Sequence, residues 1–183
     1  MITQIDLNIL DFLQTIRTPV LDWIFKIITH LGDEGIIWIA LTIVMLCFKK
    51  TRRYGFIMAL SLIVGTIVGN IGLKNIFARP RPFNVNPDML PNLIISPPNS
   101  FSFPSGHTMS SFETAMALFL CNKKMGIPAL ILAALIGFSR NYLYVHYPTD
   151  VIAGAILGIA IGVGVYLLYN KFIAGKKLGK IEF

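Results

Sequence analysis

Residues 139–150, SRNYLYVHYPTD, set Arg140, His146 and Asp150 between two long apolar runs. An ionisable side chain on the bilayer-embedded part of a helix costs about 2.5–3.5 kcal/mol on insertion scales, so three in so short a stretch require a reason. The flanking runs, 127–138 and 151–170, belong to a set that also includes 36–48, 54–73 and 109–121. With 55% hydrophobic and 14% charged residues among 183, the chain has too little polar surface to cover a soluble globule. The expected fold is all-α: a polytopic membrane helix bundle making a single domain over residues 1–183. A sixth, weaker helix is PVLDWIFKIITHL (19–31), which carries Asp22 and Lys26. Before it, residues 1–18 include the amphipathic stretch IDLNILDFLQTIR, which can lie along the interface.

Several runs fall short of the roughly 20 residues that cross the hydrocarbon, and the motif residues at their ends complete them, which puts those motifs near one membrane surface. The N-terminal stretch has neither a basic region nor a small-residue cleavage site, so a cleavable signal is not expected. Cys47 and Cys121 lie inside apolar runs without metal-ligand spacing and read as buried thiols. The connectors KKTRR (49–53) and NKKM (122–125) and the tail 171–180 hold 10 of the 16 Lys and Arg residues, which the positive-inside rule assigns to the cytoplasm. The net charge of +7 is then mostly topology, with no nucleic-acid partner implied. Alternating crossings leave THLGDEG (29–35), the loop 79–104 and the HYPTD turn outside, and both termini inside. That loop, rich in Pro and Asn, is longer than a connection needs and suggests a lid.

Lys74, Arg79, Arg81, His107, Arg140, His146 and Asp150 all fall at the outer ends of the expected helices. Snorkelling explains Lys74 or Arg79 alone, but not two histidines and an aspartate in the same layer, so the pattern calls for a shared polar pocket. In FPSGHTMSS (103–111), Pro104 stops the loop, Ser105 caps a helix and Gly106 lets the backbone approach a ligand. The free amides and dipole of that helix start favour an anion, and His107 adds a proton donor. Lys74, Arg81 and Arg140 supply cations, the guanidiniums being able to bind phosphate oxygens bidentately. Pro148 begins the last helix and puts Asp150 in its first turn, folded back toward His146. The carboxylate would fix the tautomer and leave the other ring nitrogen free to attack phosphorus.

These residues resemble the type 2 phosphatidic acid phosphatase and vanadium haloperoxidase superfamily. The pattern KxxxxxxRP matches KNIFARPRP from Lys74 to Pro82, PSGH matches 104–107, and SRxxxxxHxxxD matches Ser139 to Asp150. The resemblance implies phosphate binding by Lys74, Arg81, Ser105, Gly106 and Arg140, with His146 as nucleophile, Asp150 as its orienter and His107 as the acid that protonates the leaving group. It implies hydrolysis through a phosphohistidine without metal or other cofactor, which agrees with the lack of a carboxylate cluster able to hold a metal. The implied substrates are phosphates of membrane lipids: phosphatidylglycerophosphate, phosphatidic acid or undecaprenyl diphosphate. Headgroup choice falls to Asp33, Glu34 and the loop 83–103. The expected setting is a bacterial plasma membrane, with the pocket on the extracytoplasmic side. Two other classes compete: a vanadate-holding haloperoxidase, and a non-catalytic lipid-phosphate binding or transport protein. Glu113, about 9 Å deeper than His107 along the same helix, reads as a protonated or partnered packing carboxylate, and Asn70 as an interhelical hydrogen-bonding residue.

Overall fold

The structure, a computed structural model, describes residues 2–174; the basic tail expected to be cytoplasmic lies outside the described residues from 175 to 183. All regular structure among the described residues is helical. The helices are α1 (Ile2–Thr15), α2 (Pro19–Leu31), α3 (Ile36–Cys47), α4 (Arg52–Gly65), α5 (Lys74–Phe77), α6 (Pro82–Val85), α7 (Gly106–Cys121), α8 (Lys123–Tyr142) and α9 (Pro148–Tyr169). The stretches Arg52–Val85, Lys123–Tyr142 and Pro148–Phe172 are each long and apolar enough to cross a membrane, and α2 with α3 adds a fourth if taken as one bent span.

Helix α7 occupies the centre, and glycines determine how closely its neighbours approach. Gly154, Gly158 and Gly162 recur every fourth residue and share one face of α9. A Cβ on them would stand 2.9 Å from the Ser105 carbonyl oxygen, 2.6 Å from that of Met109 and 2.6 Å from that of Glu113. Only backbone-to-backbone contact fits there, as small-residue repeats allow. On the other side, Gly126 lies against Phe119 and Gly137 against Thr108. The N-terminus of α7 is thereby held to that of α9, where the Ser105 N–H donates to the Asp150 carbonyl at 3.2 Å. Helix α4 passes through a π-helical segment, Thr66–Leu73, that delivers Lys74 to the same end. Such segments change the phase of side chains along a helix and recur at functional sites.

Two expectations give way. Helices α2 and α3 do not form an antiparallel hairpin about residues 29–35. They meet at a bend of 44° and run on in the same general direction. The link is one 3-10 turn, Asp33–Gly35, in which Glu34 (φ 49°) and Gly35 (φ 69°) are left-handed, and these torsions set a bend in place of a reversal. Nor do the two ends of the described chain share a face. Asp6 of α1 accepts from Thr149 at the start of α9, whereas Arg53 reaches Asn170 at its far end, about 33 Å away for 22 residues of helix. Among the described residues, then, the bundle does not show six alternating crossings whose two ends share a face. Helix α1 buries Asp6, Leu10 and Leu13 and leaves Ile5, Ile9 and Phe12 exposed, as is Ile16 just beyond its end.

Candidate active site

The segment between α8 and α9 is wound tightly. The Val145 and His146 N–H groups both donate to the Arg140 carbonyl, at 3.1 and 3.3 Å, and Tyr144 takes φ of 61°. Pro148 opens α9 with its φ preset, and the Asp150 carboxylate accepts the Tyr147 N–H at 3.0 Å. This capping contact turns Asp150 back onto His146, with 3.4 Å between Nδ1 and Oδ2. The Ser102 hydroxyl donates to the same Oδ2 and lies 3.4 Å from Nδ1, and Arg79 Nη1 donates to Oδ1 at 2.6 Å. His146 Nε2 faces Arg81 Nη1 at 3.3 Å. Arginine offers only donors, so Nε2 carries the lone pair and Nδ1 the proton. Burial, reinforced by Arg81, Arg140, Lys74 and His107, holds the His146 imidazole well below its ordinary range, so the ring is neutral at pH 7.

The three expected cations converge on this point from three elements. Arg140 is 2% exposed; its Nη1 donates to the Thr29 hydroxyl, and its Nε has no partner among the described residues. Lys74, partly buried, reaches the Ser100 hydroxyl at 3.4 Å. Arg81 is engaged throughout by protein oxygens. Its Nε donates to the Ser100 carbonyl at 2.6 Å, Nη1 to that of Val145 at 2.7 Å and Nη2 to the Ser100 hydroxyl at 3.0 Å. Ser100 of the loop 79–104 thus contacts two of the cations, Lys74 and Arg81. A cavity of about 440 Å³ adjoins Arg81 from the loop side, lined in part by Phe83, Asn84, Leu90 and Phe101.

The helix start in FPSGHTMSS forms as read. Ser105, the N-cap of α7, is buried and accepts from the Thr108 hydroxyl at 2.9 Å. A Cβ on Gly106 would stand 3.0 Å from Asn70 Oδ1 and 3.6 Å from Lys74 Nζ, so a side chain here would crowd Asn70. His107 projects toward the α2–α3 bend, where its Nε2 meets Asp33 Oδ1 at 2.8 Å. Asn70 is exposed and approaches the α7 start instead of making the interhelical hydrogen bond expected of it. Glu113 is buried against Gly65, and its Oε2 has no partner among the described residues.

Sequence reasoning missed several contributors. Arg79, set aside as explicable by snorkelling, instead bridges Asp6 and Asp150 and stacks 3.8 Å from the Tyr147 ring centroid. The spacing of Asp6, Leu10 and Leu13 (i, i+4, i+7) put that carboxylate on the buried stripe of α1 and could have flagged it. Ser100, Ser102 and Thr29 carry no local signal.

Comparison with known proteins sets this geometry in context. The sequence profile of the PAP2 superfamily matches residues 50–174. An undecaprenyl-diphosphatase of Sulfolobus acidocaldarius is 40% identical over 124 residues, covering 67% of this chain; the matched part spans only 58% of that relative's length. Phosphatidylglycerophosphatase B of Bacillus subtilis is 35% identical over 158 residues, covering 79% of this chain and 73% of its own. Among solved structures, a transmembrane PAP2-type phosphatidylglycerolphosphate phosphatase of Bacillus subtilis superposes with a TM-score of 0.74 at 29% identity, covering 93% of this chain and 87% of that one.

Proposed function

The chain belongs to the PAP2 superfamily, and on that premise we propose that it is a membrane-embedded phosphatase of lipid phosphates. The observation that carries the reading is the neutral His146, its Nε2 lone pair turned toward Arg81 in a cluster completed by Lys74 and Arg140. A phosphoryl group seated among these cations and the amides of the α7 start would lie in front of that lone pair. Nε2 attacks phosphorus, the bond to the leaving oxygen breaks, and His107 supplies the proton that oxygen takes up. Asp150 holds the Nδ1 proton and balances the charge the ring acquires. Water, deprotonated by His107, then displaces His146 and releases phosphate. Preorganised cations stabilise the charge of the five-coordinate phosphorus in a site with little water, where such contacts are strong.

The Arg140 Nε left without a protein partner supports the anion reading, since a buried donor of this kind is costly unless something binds it. The described basic connectors, 49–53 and 122–125, lie at the end of the bundle away from the motifs. The positive-inside rule puts that end in the cytoplasm and opens the pocket outward. In this arrangement α1 lies in the outer interface, and α2 with α3 forms one broken span. The site can take phosphate into the cationic cup while the acyl or prenyl chain stays in lipid. Undecaprenyl diphosphate and phosphatidylglycerophosphate, the substrates in the names of the relatives, are the first to try, with phosphatidic acid beside them. The deciding experiment is phosphate release by the purified protein from these three lipids in detergent with EDTA present. Turnover by wild type and none by His146→Ala is expected. Binding of all three without release would favour the non-catalytic lipid-phosphate reading.

A further inference from the structure

Resting on the phosphatase reading, we infer that Asp33, backed by His30, is a positioning residue for His107, a fixed carboxylate that keeps the general acid oriented and stabilises it while it is protonated. Asp33 Oδ1 lies 2.8 Å from His107 Nε2, and its other oxygen lies 2.6 Å from His30 Nδ1. Both carboxylate oxygens are therefore held, one by each histidine. The turn that carries Asp33 is shaped to reach this position. A Cβ on Gly32 would stand 3.0 Å from His107 Cδ2 and 2.8 Å from Ile136 Cγ2, so the turn presses directly on the imidazole. Glu34 then takes a left-handed conformation that a non-glycine residue adopts only when its surroundings impose it, and such strain gathers at functional sites.

The chemistry gives this contact its purpose. A carboxylate only accepts, so Nε2 is the donor and keeps its hydrogen, directed at Asp33. The proton given to the leaving oxygen is then the one on Nδ1, and the reactive acid is the imidazolium. As the P–O bond breaks, Nδ1–H passes to the leaving oxygen, and the ring returns to neutral with Nε2–H still on Asp33. Burial first, then the nearby Arg140 and Lys74, oppose a positive charge on His107, and Asp33 is the anion that counters them in part. The side chains of His30 and Asp33 are 53% and 42% exposed, so the pair lies at the rim of the site.

The test compares kcat/KM of wild type, Asp33→Asn, His107→Ala and the double variant on phosphatidic acid and on 4-nitrophenyl phosphate, whose leaving group needs no proton. Asp33→Asn is expected to lose roughly 10–100-fold on phosphatidic acid, mostly in kcat, and about threefold or less on the aryl ester. In the His107→Ala background it should add nothing further. Equal losses on the two substrates, or losses that multiply in the double variant, would overturn the inference and make Asp33 a structural or headgroup-selecting residue. His30→Gln, at an exposed position, provides a second reading if Asp33→Asn folds poorly: a smaller loss confined to phosphatidic acid is expected, and a uniform loss counts against the inference. Wild type inactive on both substrates and on the lipid diphosphate would instead overturn the phosphatase reading, and this proposal with it.

Discussion

Replacing Arg79 with glutamine removes the one cation between two buried carboxylates. Asp6 is 2% exposed and Asp150 fully buried; Arg79 holds them at 2.8 and 2.6 Å and rests on the Tyr147 ring. Breaking a buried ion pair by removing one partner costs about 3–5 kcal/mol, because the other charge is left without compensation. Two orphaned carboxylates argue for the upper part of that range. The hydrogen bonds each retains, from Thr149 to Asp6 and from Tyr147 and Ser102 to Asp150, argue for the lower. At roughly 2–4 °C per kcal/mol for a domain of this size, Arg79→Gln should lower Tm by about 6–20 °C in detergent. Adding Asp6→Asn removes one of the stranded charges, so the double variant should be more stable than Arg79→Gln alone, a coupling that a double-mutant cycle measures. Arg79→Gln melting within about 2 °C of wild type, or strictly additive effects, would refute the claim that this triad anchors α1 to the catalytic turn.

His146→Ala should abolish lipid-phosphate turnover while leaving the protein folded, and near-normal activity would rule out a phosphohistidine. Asp150→Asn should slow turnover at least ~100-fold, because the carboxylate that holds the Nδ1 proton is lost; a weak effect would mean the 3.4 Å contact does not orient the ring. The folded-state value of His146 lies below its unfolded value, so as pH falls through about 6.5 the unfolded chain takes up a proton that the folded one refuses. Stability contributed by this group is thus present above that pH and lost below it. NMR titration of the wild type against His146→Asn should show the ring still neutral at pH 6.5, and an ordinary titration would contradict the buried site. Gly158→Leu should separate α9 from α7, because the Cβ would fall 2.6 Å from a backbone carbonyl that cannot rotate away; loss of activity together with lowered Tm is expected, and a silent substitution would contradict the close packing.

The residues brought together here were legible because each sits in a stretch whose local structure is dictated locally. Ser105 before Gly106 starts a helix, Pro148 two positions before Asp150 starts another, and the hydropathy of the intervening runs sets their helices. The glycine repeat of α9 went unread in the sequence, and its contact with α7 emerged only from the packing. The partners of these residues were not legible. Asp6, Thr29, Asp33, Ser100 and Ser102 meet Arg79, Arg140, His107, Arg81 and Asp150 from other elements. No sequence interval announces such meetings, because a hydrogen bond between distant elements depends on helix phase and tilt. Local sequence determined which residues carry charge and which start helices. Only tertiary structure decided which carboxylate serves which cation, and that α2 and α3 bend instead of reversing. A 44° bend and a hairpin can follow the same apolar runs, and they are separated by a few backbone torsions and the contact that holds them.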